Sequence, residues 1–491
     1  MGASSPDLVR VAVIGGGLSG LTTARELIRR TRLDALPLEI RVYEAEERLG
    51  GVIRTEKKSG FTLEYGPDSF HTASSSGLQL AVELGLRDEL IPAHVERGLL
   101  IWWEGRLHRM PPGLSSLGGG SLRALLGSTL LTPCGRMRAA LERLVPPRLT
   151  RCDECLAGFV RRRFGRQMHE RVGDPLLAGF YRGDPEQLGI DHTFPELVEM
   201  ERRERSITRG LRRALRNGGG PAPFGGLPKK IARVPIVSLR GGMRALIDAL
   251  AAGIRRNDSG ALRVGRRVSR LRPAGDPLGA AAYAVDTEDG ETWTADICVL
   301  AVPARVAARL VEAFAPEVAG ELTAVPLTSS LTVHLGFPRQ ALREVPEAIG
   351  CLVPHGAGRP TIACAFVHAE FDYRAPPGAA LLRVLLGGAR KPELVDLGDE
   401  AAVRVARKEV ATLLGIGAEP LFTDVWRSPK AHPQYLVGHA ERITAIQRQL
   451  DYHSGLLVSG SCLHGVAVPD VIDNARATAG VVADLARTRL T

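Results

Sequence analysis

The chain has 491 residues, of which 44% are hydrophobic and 24% are charged, and its formal net charge is +10. This balance excludes a disordered or collagen-like chain, and at roughly 100–200 residues per domain the length predicts two or three domains. The apolar runs are strand-sized and fall short of the roughly 18 residues that a spanning helix needs. Because the N-terminal residues also lack a signal-peptide pattern, we expect a cytoplasmic globular protein.

The positive charge does not identify a partner, but the distribution of the basic residues argues against nucleic acid. Aromatic residues make up only 5% of the chain and the arginine clusters lie on amphipathic helix patterns, so no nucleic-acid partner is predicted. An acidic substrate, an anionic membrane surface and an ordinary solvated surface all stay open. The seven cysteines are odd in number and scattered, and they have no histidine partners at zinc spacing. We therefore predict neither disulfides nor a metal site.

The N-terminal segment has the pattern of a strand, a glycine turn and a helix. An apolar strand over 9–14 leads into Gly15-Gly-Gly-Leu-Ser-Gly20, and a second strand over 38–43 ends on Glu44. In such a unit the glycines allow the tight turn and the approach of a pyrophosphate, and the helix N-terminus attracts its charge. Glu44 would accept hydrogen bonds from the ribose hydroxyls. The sequence predicts a dinucleotide-binding, Rossmann-like domain.

The residues after Glu44 indicate which dinucleotide binds. An arginine, Arg48, precedes the paired glycines Gly50 and Gly51, and this arrangement resembles the second motif of the FAD-dependent amine oxidase-like superfamily. Arg48 could neutralise pyrophosphate oxygens, while the two glycines let the chain pass close to the flavin. We infer that the cofactor is FAD.

Several further strings follow one another along nearly the whole chain and together resemble the flavin-dependent oxidases of porphyrinogens. They are Glu64–Phe70, Gly179–Asp184, Thr193–Pro195, Leu239–Met243, Gly350–Pro354, Gly387–Arg390, Pro433–Tyr435 and Gly465–Val468. Each string alone is compatible with other flavoproteins, whereas the ordered set is specific to this family.

The resemblance implies an α/β fold: a discontinuous Rossmann-like FAD domain of the p-hydroxybenzoate hydroxylase type, an α+β substrate domain and an inserted helical lobe. On this basis we predict that the FAD domain comprises residues 1–95, 221–310 and 436–491. The predicted helical lobe, which has substrate contacts and a face suited to a membrane surface, spans 96–220. The substrate domain spans 311–435.

The resemblance also implies which residues bind the cofactor and the substrate. The predicted FAD contacts are Gly15, Gly16, Gly17, Leu18, Ser19, Gly20, Glu44, Ala45, Arg48, Gly50, Gly51, Val52, Gly66, Pro67, Asp68, Ser69, Val268, Ser461, Val466, Ala467 and Val468. The predicted substrate contacts are Arg97, Gly179, Phe180, Ile349, Gly350 and Leu352. Arg97 is the nearest candidate for an arginine that holds a propionate, although its register is off by about two residues. No catalytic residue is predicted, because the cofactor supplies the reactive chemistry.

The implied reaction removes six electrons from protoporphyrinogen IX in three flavin cycles, with O₂ as acceptor, in haem biosynthesis. Two departures from the family pattern, Ser461 and Pro469, leave coproporphyrinogen III as an alternative substrate. An amine oxidase and a non-catalytic flavin scaffold are the remaining alternatives. Relatives suggest a homodimer and a peripheral location on the inner face of the cell membrane.

Overall fold

The computed structural model describes residues 8–111, 127–148, 152–216, 227, 231, 234–258, 260–275 and 282–490. Within these ranges no helix has both the length and the apolar character needed to cross a membrane. Nor does any group of three or more His, Cys, Asp or Glu side chains in them form a metal site. Part of the predicted membrane-facing lobe, residues 112–126 and 149–151, lies outside the described residues, and so do residues 217–226 around the predicted domain boundary.

A five-stranded parallel sheet forms the first half of the molecule. Its strands are β1 (Val9–Ile14), β2 (Leu38–Tyr43), β10 (Leu262–Arg263), β14 (Ile297–Leu300) and β20 (Leu456–Val458), in the order β10-β2-β1-β14-β20. All of its pairings are parallel, and its strands are largely apolar, as expected when both faces are covered. The strands come from the start, the middle and the end of the chain. The predicted α/β class with a discontinuous Rossmann-like sheet is thus confirmed.

Alternation along β1 explains how the two faces of this sheet are covered. Val11 and Val13 face a core shared with the helices α1 (Leu18–Leu33), α10 (Arg244–Asn257) and α16 (Val468–Leu490). Ala12 and Ile14 face a second core. That core contains the antiparallel strands β11 (Val268–Pro273), β12 (Tyr283–Thr287) and β13 (Thr292–Ala295) and the helices α11 (Ala304–Val311), α12 (Pro316–Thr323) and α15 (His439–Leu450).

A seven-stranded mixed sheet forms the second half. In the order β19-β15-β18-β17-β16-β7-β8 its strands are β19 (Phe422–Pro433), β15 (Leu327–Pro338), β18 (Ala379–Gly387), β17 (Thr361–Phe366), β16 (Gly350–Leu352), β7 (Leu99–Trp103) and β8 (Arg106–Arg109). One face packs on helix α14 (Asp399–Leu414) through Leu331, Val333 and their neighbours. The opposite face looks toward the nucleotide half, and we call it the site face.

The strand register fixes which residues the site face presents, because residues directly opposite each other share a face. One row across the sheet contains Gly350, Ala365, Arg383, His334 and Asp424. The next row contains Leu352, Ala363, Leu385, Thr332 and Trp426. Arg383 is therefore a cation in the middle of a mainly apolar sheet surface.

Two elements cover the ends of the site face. At one end, the hairpin of β3 (Thr55–Lys58) and β4 (Phe61–Glu64) packs on it, with Phe61, Leu63 and Tyr65 against Leu381 and Trp426. At the other end, helix α6 (Asp174–Tyr181) lies over β16 and β17. The turn that follows β4, residues 66–69, reaches the face between these two covers.

The remaining elements connect the two halves or build the helical lobe. A small sheet contains β5 (Phe70–His71), β6 (Leu90–Pro92) and β9 (Ile236–Leu239), and the short helices α2 (Ser76–Glu83) and α13 (Val367–Glu370) lie outside the lobe. The described lobe helices are α3 (Pro133–Ala140), α4 (Leu156–Phe164), α5 (Arg166–Met168), α6, α7 (Ile190–Thr193), α8 (Pro195–Glu204) and α9 (Ile207–Arg216), with a π-helical turn over His169–Gly173.

The observed structure differs from one predicted boundary. Residues 96–220 were predicted to form the helical lobe, yet Leu99–Trp103 and Arg106–Arg109 are strands at the edge of the seven-stranded sheet. The physical reason is that Leu100 is buried in the core under helix α14 and Trp102 packs against it. The first part of that segment therefore belongs with the sheet. The other predicted boundaries stay predictions.

Candidate functional site

The glycine turn after β1 is a close-packed structure in which two glycines are required. Gly15 has a φ of +115°, and a Cβ on it would lie 2.3 Å from the carbonyl oxygen of Ala301. A Cβ on Gly20 would lie 1.9 Å from the carbonyl oxygen of Gly15. No other residue fits these two positions without moving the backbone.

Gly17 differs, since protein packing does not require a glycine there. Its φ is −76°, and the nearest atom to a Cβ would be the Cα of Gly51 at 3.9 Å. Gly17 is also the N-cap of α1, where no side chain caps the helix and no acid stands in the first turn. The free N–H groups and this open approach fit an anionic group such as a pyrophosphate.

Glu44 stands at the carboxyl end of β2, beside the glycine turn. Its carboxylate accepts hydrogen bonds from the backbone N–H groups of Gly16 and Glu46, both at 2.8 Å. Its own carbonyl accepts from the N–H of Arg266 at 2.7 Å, which brings the start of β11 and thus Val268 alongside. The structure therefore places Glu44, its neighbour Ala45 and the strand that begins at Val268 close together, and their contacts with adenosine stay a prediction.

The second glycine motif packs directly on the first. The N–H of Gly50 donates to the carbonyl of Gly16 at 2.8 Å, and Gly50 and Gly51 have φ values of +115° and +56°. Arg48 donates to the carbonyl of Gly51 at 2.7 Å and pairs with Glu46 at 3.1 Å. Its guanidinium thus shapes this turn, and the predicted contact to a pyrophosphate stays a prediction.

The turn over 66–69 and the exposed Val52 adjoin these glycines. A Cβ on Gly66 would lie 2.0 Å from the carbonyl oxygen of Val52, so the two backbones touch. The side chain of Val52 is 61% exposed although it lies between packed segments. The predicted FAD contacts Val52, Pro67, Asp68 and Ser69 therefore follow the nucleotide turn toward the site face.

The last predicted cofactor segment comes from the C-terminal part of the chain. A Cβ on Gly460 would lie 3.7 Å from the side chain of Ser19. The carbonyl of the next residue, Ser461, accepts a hydrogen bond from the Tyr435 hydroxyl at 2.7 Å. Val468 begins α16, a 23-residue helix. The preceding segment, Val466 and Ala467, thus presents the N-terminus of a long helix to the same region, with Asp470 accepting from the Ala467 N–H at 3.2 Å.

A buried ion pair links the cofactor turn to the site face. Arg383 donates to the carboxylate of Asp68 at 2.5 Å, and both side chains are mostly buried, at 21% and 17% exposure. Burial would raise the pKa of Asp68, but the Arg383 charge and the Ser69 hydroxyl hold it below its usual range. The sequence-based analysis missed Arg383. The sequence feature that could have indicated it is a single arginine within the apolar strand β18.

Two acids with raised pKa values lie near this pair. Burial raises the pKa of Glu64 to about 7, although Met243 N–H and Thr55 hydroxyl donate to it at 2.8 and 2.7 Å. Burial, followed by the charge of Asp68, raises the pKa of Glu370 to about 8. Glu370 is therefore mainly uncharged at neutral pH. Neither acid was a predicted site residue.

Gly179, Gly350 and Leu352, three of the predicted substrate residues, lie where α6 covers the site face. A Cβ on Gly179 would lie 3.4 Å from the side chain of Leu352, and Gly350 and Ile349 are buried beside it. The side chain of Phe180 is 52% exposed. A Cβ at that distance would touch Leu352, so the glycine lets α6 lie close against the apolar sheet surface.

Arg97 differs from the other predicted substrate residues, because its guanidinium already has partners within the protein. It donates to the carbonyl of Ala369 at 2.9 Å and lies 3.4 Å from a carboxylate oxygen of Glu347. The adjacent carbonyl of Gly98 accepts from Ile349 N–H at 2.9 Å, so Arg97 borders the predicted pocket. Its contact with substrate stays a prediction.

Comparison with known proteins bears on the chemistry of this arrangement. The sequence pattern of the family described as flavin containing amine oxidoreductase matches residues 18–483. A coproporphyrinogen III oxidase from Bacillus subtilis is 30% identical over 95% of this chain and 96% of its own. A protein of the same name from Propionibacterium freudenreichii is 31% identical over 99% and 93%. Protoporphyrinogen oxidase 1 of Arabidopsis thaliana is 28% identical over 95% and 86%.

Solved structures with the same fold are also found. A crystal structure from Exiguobacterium sp. 255-15, provisionally named a protoporphyrinogen oxidase, superimposes with a TM-score of 0.81 at 27% identity, covering 98% of this chain and 99% of that one. Putrescine oxidase, at 15% identity and a TM-score of 0.65, shares the fold. The glycine turn after β1, Glu44, the paired glycines Gly50 and Gly51 and the start of α16 together form what we call the FAD cradle. This cradle fits FAD, as predicted. This chain belongs to the flavin containing amine oxidoreductase family, among the FAD-dependent oxidoreductases whose relatives are named for porphyrinogen oxidation.

Proposed function

We propose that this protein oxidises protoporphyrinogen IX to protoporphyrin IX, with O₂ as the electron acceptor. The observation that carries the proposal is the site face of the mixed sheet, which the predicted cofactor turn reaches through the pair of Asp68 and Arg383. FAD, when bound, would accept from the macrocycle one hydride, which carries two electrons, in each cycle. The residues of the chain bind and orient the macrocycle, and they exclude water from its reacting edge.

Coproporphyrinogen III is the second candidate substrate. Two features favour it: relatives of that name from three genera are 30–31% identical, and Pro469 is the second residue of helix α16, near the predicted flavin site. This substrate has four propionates where protoporphyrinogen IX has two. Both candidates use the same chemistry at the same place.

The proposal is tested by mixing the yellow protein with either porphyrinogen under anaerobic conditions. We expect the flavin absorbance to bleach and to return when O₂ is admitted, with porphyrin formed in proportion. Gly179→Arg should abolish bleaching by porphyrinogen and leave the oxidised flavin spectrum unchanged, because the new side chain would extend from α6 over the predicted substrate residues beside Leu352. A flavin that neither porphyrinogen reduces would contradict the proposal and favour a non-catalytic scaffold.

The assembly and location of the protein belong to the proposal as well. We propose a homodimer that associates with the inner face of the cell membrane through the helical lobe. The exposed apolar side chains Met137, Leu141 and Leu144 on and just after α3 support this idea. Co-sedimentation with anionic vesicles, compared with a Met137→Ser, Leu144→Ser double variant, tests it. Equal sedimentation of both proteins would contradict it.

A further inference from the structure

The loop over residues 459–467, which we call the β20–α16 loop, lies beside the FAD cradle. At its start the hydroxyl of Ser459 lies 3.0 Å from the hydroxyl of Ser19, in the first turn of α1. At its end Val468 begins helix α16. The loop contains three of the predicted FAD contacts, among them Ser461. Its conformation therefore determines which backbone groups the cofactor would meet.

Two side chains from outside the loop hold its carbonyl groups. The Tyr435 hydroxyl donates to the carbonyl of Ser461 at 2.7 Å, and Nε2 of His439 lies 3.0 Å from the carbonyl oxygen of Leu463. A carbonyl can only accept, so Nε2 carries the ring proton and donates this hydrogen bond. Burial lowers the pKa of His439 to about 4, so the ring is uncharged at neutral pH.

Packing fixes the positions of these two side chains. Their rings stack with centroids 4.4 Å apart and planes 19° apart, and each residue is only 1% exposed. The carbonyl of Tyr435 accepts from the N–H of Gly189 at 2.8 Å, which attaches it to the helical lobe. His439 is the first residue of helix α15, and its N–H donates to the carbonyl of Leu436 at 3.0 Å. The loop is therefore held by donors that cannot easily follow it.

The held carbonyls determine where the N–H groups of the loop point. In a trans peptide the carbonyl and the N–H of the next residue point in opposite directions, and the described residues include no cis peptide bond. The carbonyls of Ser461 and Leu463 point at the stacked rings. The N–H groups of the next residues, Cys462 and His464, therefore point to the opposite side. Among the described residues, neither N–H donates to another residue.

The later part of the loop continues this arrangement. His464 is exposed, and the N–H groups of Gly465 and Val466 also donate to no other residue in the part of the chain that the structure describes. Backbone N–H groups gathered ahead of a 23-residue helix favour a negative charge. A flavin gains negative charge when it is reduced, so these groups would stabilise its reduced form more than its oxidised form.

We propose that Tyr435 and His439 are positioning residues that orient the N–H groups of the β20–α16 loop toward the flavin and thereby raise its reduction potential. Each acts through a carbonyl of the loop. A higher potential makes the flavin a better acceptor for the hydride of the substrate. This inference rests on the FAD cradle of the proposed function, and not on which porphyrinogen is oxidised.

The test measures the reduction potential of the flavin in FAD-loaded wild type, Tyr435→Phe and His439→Phe, by equilibration with a redox dye of known potential. Both substitutions keep an aromatic ring and remove the hydrogen-bond donor. We expect each to weaken the binding of reduced FAD relative to oxidised FAD about 10-fold, which lowers a two-electron potential by about 30 mV. His439→Gln, whose amide can donate in place of Nε2, should restore most of the potential.

Tyr283→Phe is the matched control. Tyr283 is also buried, and its hydroxyl donates to a backbone carbonyl, that of Ser454 at 3.0 Å, which lies before β20 and outside the loop. This variant loses a similar hydrogen bond, yet the relative binding of the two forms of FAD should change less than about 2-fold.

Unchanged potentials in Tyr435→Phe and His439→Phe, or an equal decrease in Tyr283→Phe, would overturn the proposal. If one of the two variants does not fold, the other decides. Failure of both to fold, while Tyr283→Phe folds, would show a structural role and overturn it as well. Because the measurement needs no porphyrinogen, a failure of the proposed function is distinct: the potentials would shift as expected, but neither porphyrinogen would reduce the wild-type flavin.

Discussion

The FAD cradle and the site face are built in opposite ways. In the N-terminal part of the cradle, the contacts join residues of one short stretch of sequence: the N–H of Gly16 donates to the Glu44 carboxylate, and its carbonyl accepts from the N–H of Gly50. On the site face, side chains from five strands form each row, and Asp68 reaches Arg383 across 315 residues. A cofactor common to many proteins can be held by a local motif, whereas the substrate is recognised by residues that only the fold assembles.

The largest expected effect concerns a glycine that packing requires. Gly20→Ala would place a methyl group 1.9 Å from the carbonyl oxygen of Gly15, so the turn or the helix must move. We expect a loss of about 3 kcal/mol or more of folding free energy, or no soluble protein. Chemical denaturation measures it. A variant as stable as wild type would contradict the close packing that we describe.

Gly17→Ala is the matched variant in the same turn. Its methyl group would meet no protein atom closer than 3.9 Å, so the fold should hold. The methyl group would instead occupy the approach to the helix N-terminus, and we expect the Kd for FAD to rise about 10-fold or more. Titration of the apoprotein with FAD, together with a melting curve, checks both parts. Normal FAD affinity would remove Gly17 from the cofactor site.

On the site face, breaking the pair of Asp68 and Arg383 should cost less than distorting the turn. Arg383→Met leaves a mostly buried carboxylate without its cation, and we expect a loss of about 1–3 kcal/mol of stability. The double variant Asp68→Asn, Arg383→Met should recover much of this loss. A double-mutant cycle by denaturation gives the coupling energy, and a value near zero would mean that the pair contributes nothing.

The last prediction concerns a pH dependence. Because burial raises the pKa of Glu370 to about 8, the folded protein binds a proton that the unfolded chain releases near pH 4.5. Stability should therefore decline as the pH rises from about 5 to 8, and Glu370→Gln should reduce this decline. Melting temperatures of both proteins across this range test it. Parallel curves would contradict the assignment.

The same contrast explains what could be predicted from the sequence. The glycine turn and Glu44 are local, and their spacing was sufficient to predict the Rossmann-like sheet, while the resemblance of the segment around Arg48 to a known motif indicated FAD. The hairpin of Leu99–Trp103 and Arg106–Arg109 was assigned to the lobe because the strand that joins it to the sheet, Gly350–Leu352, is distant in sequence. Arg383 was missed for a related reason: a lone arginine in a strand has no local signal of what it faces.

The central claim is that the site face and the FAD cradle together oxidise a porphyrinogen. Its most direct test is the growth of porphyrin fluorescence in air when the purified yellow protein receives protoporphyrinogen IX or coproporphyrinogen III in parallel. We predict enzyme-dependent fluorescence well above the spontaneous rate, faster with protoporphyrinogen IX if our first candidate is correct. No enzyme-dependent increase with either substrate, with FAD bound, would contradict the account.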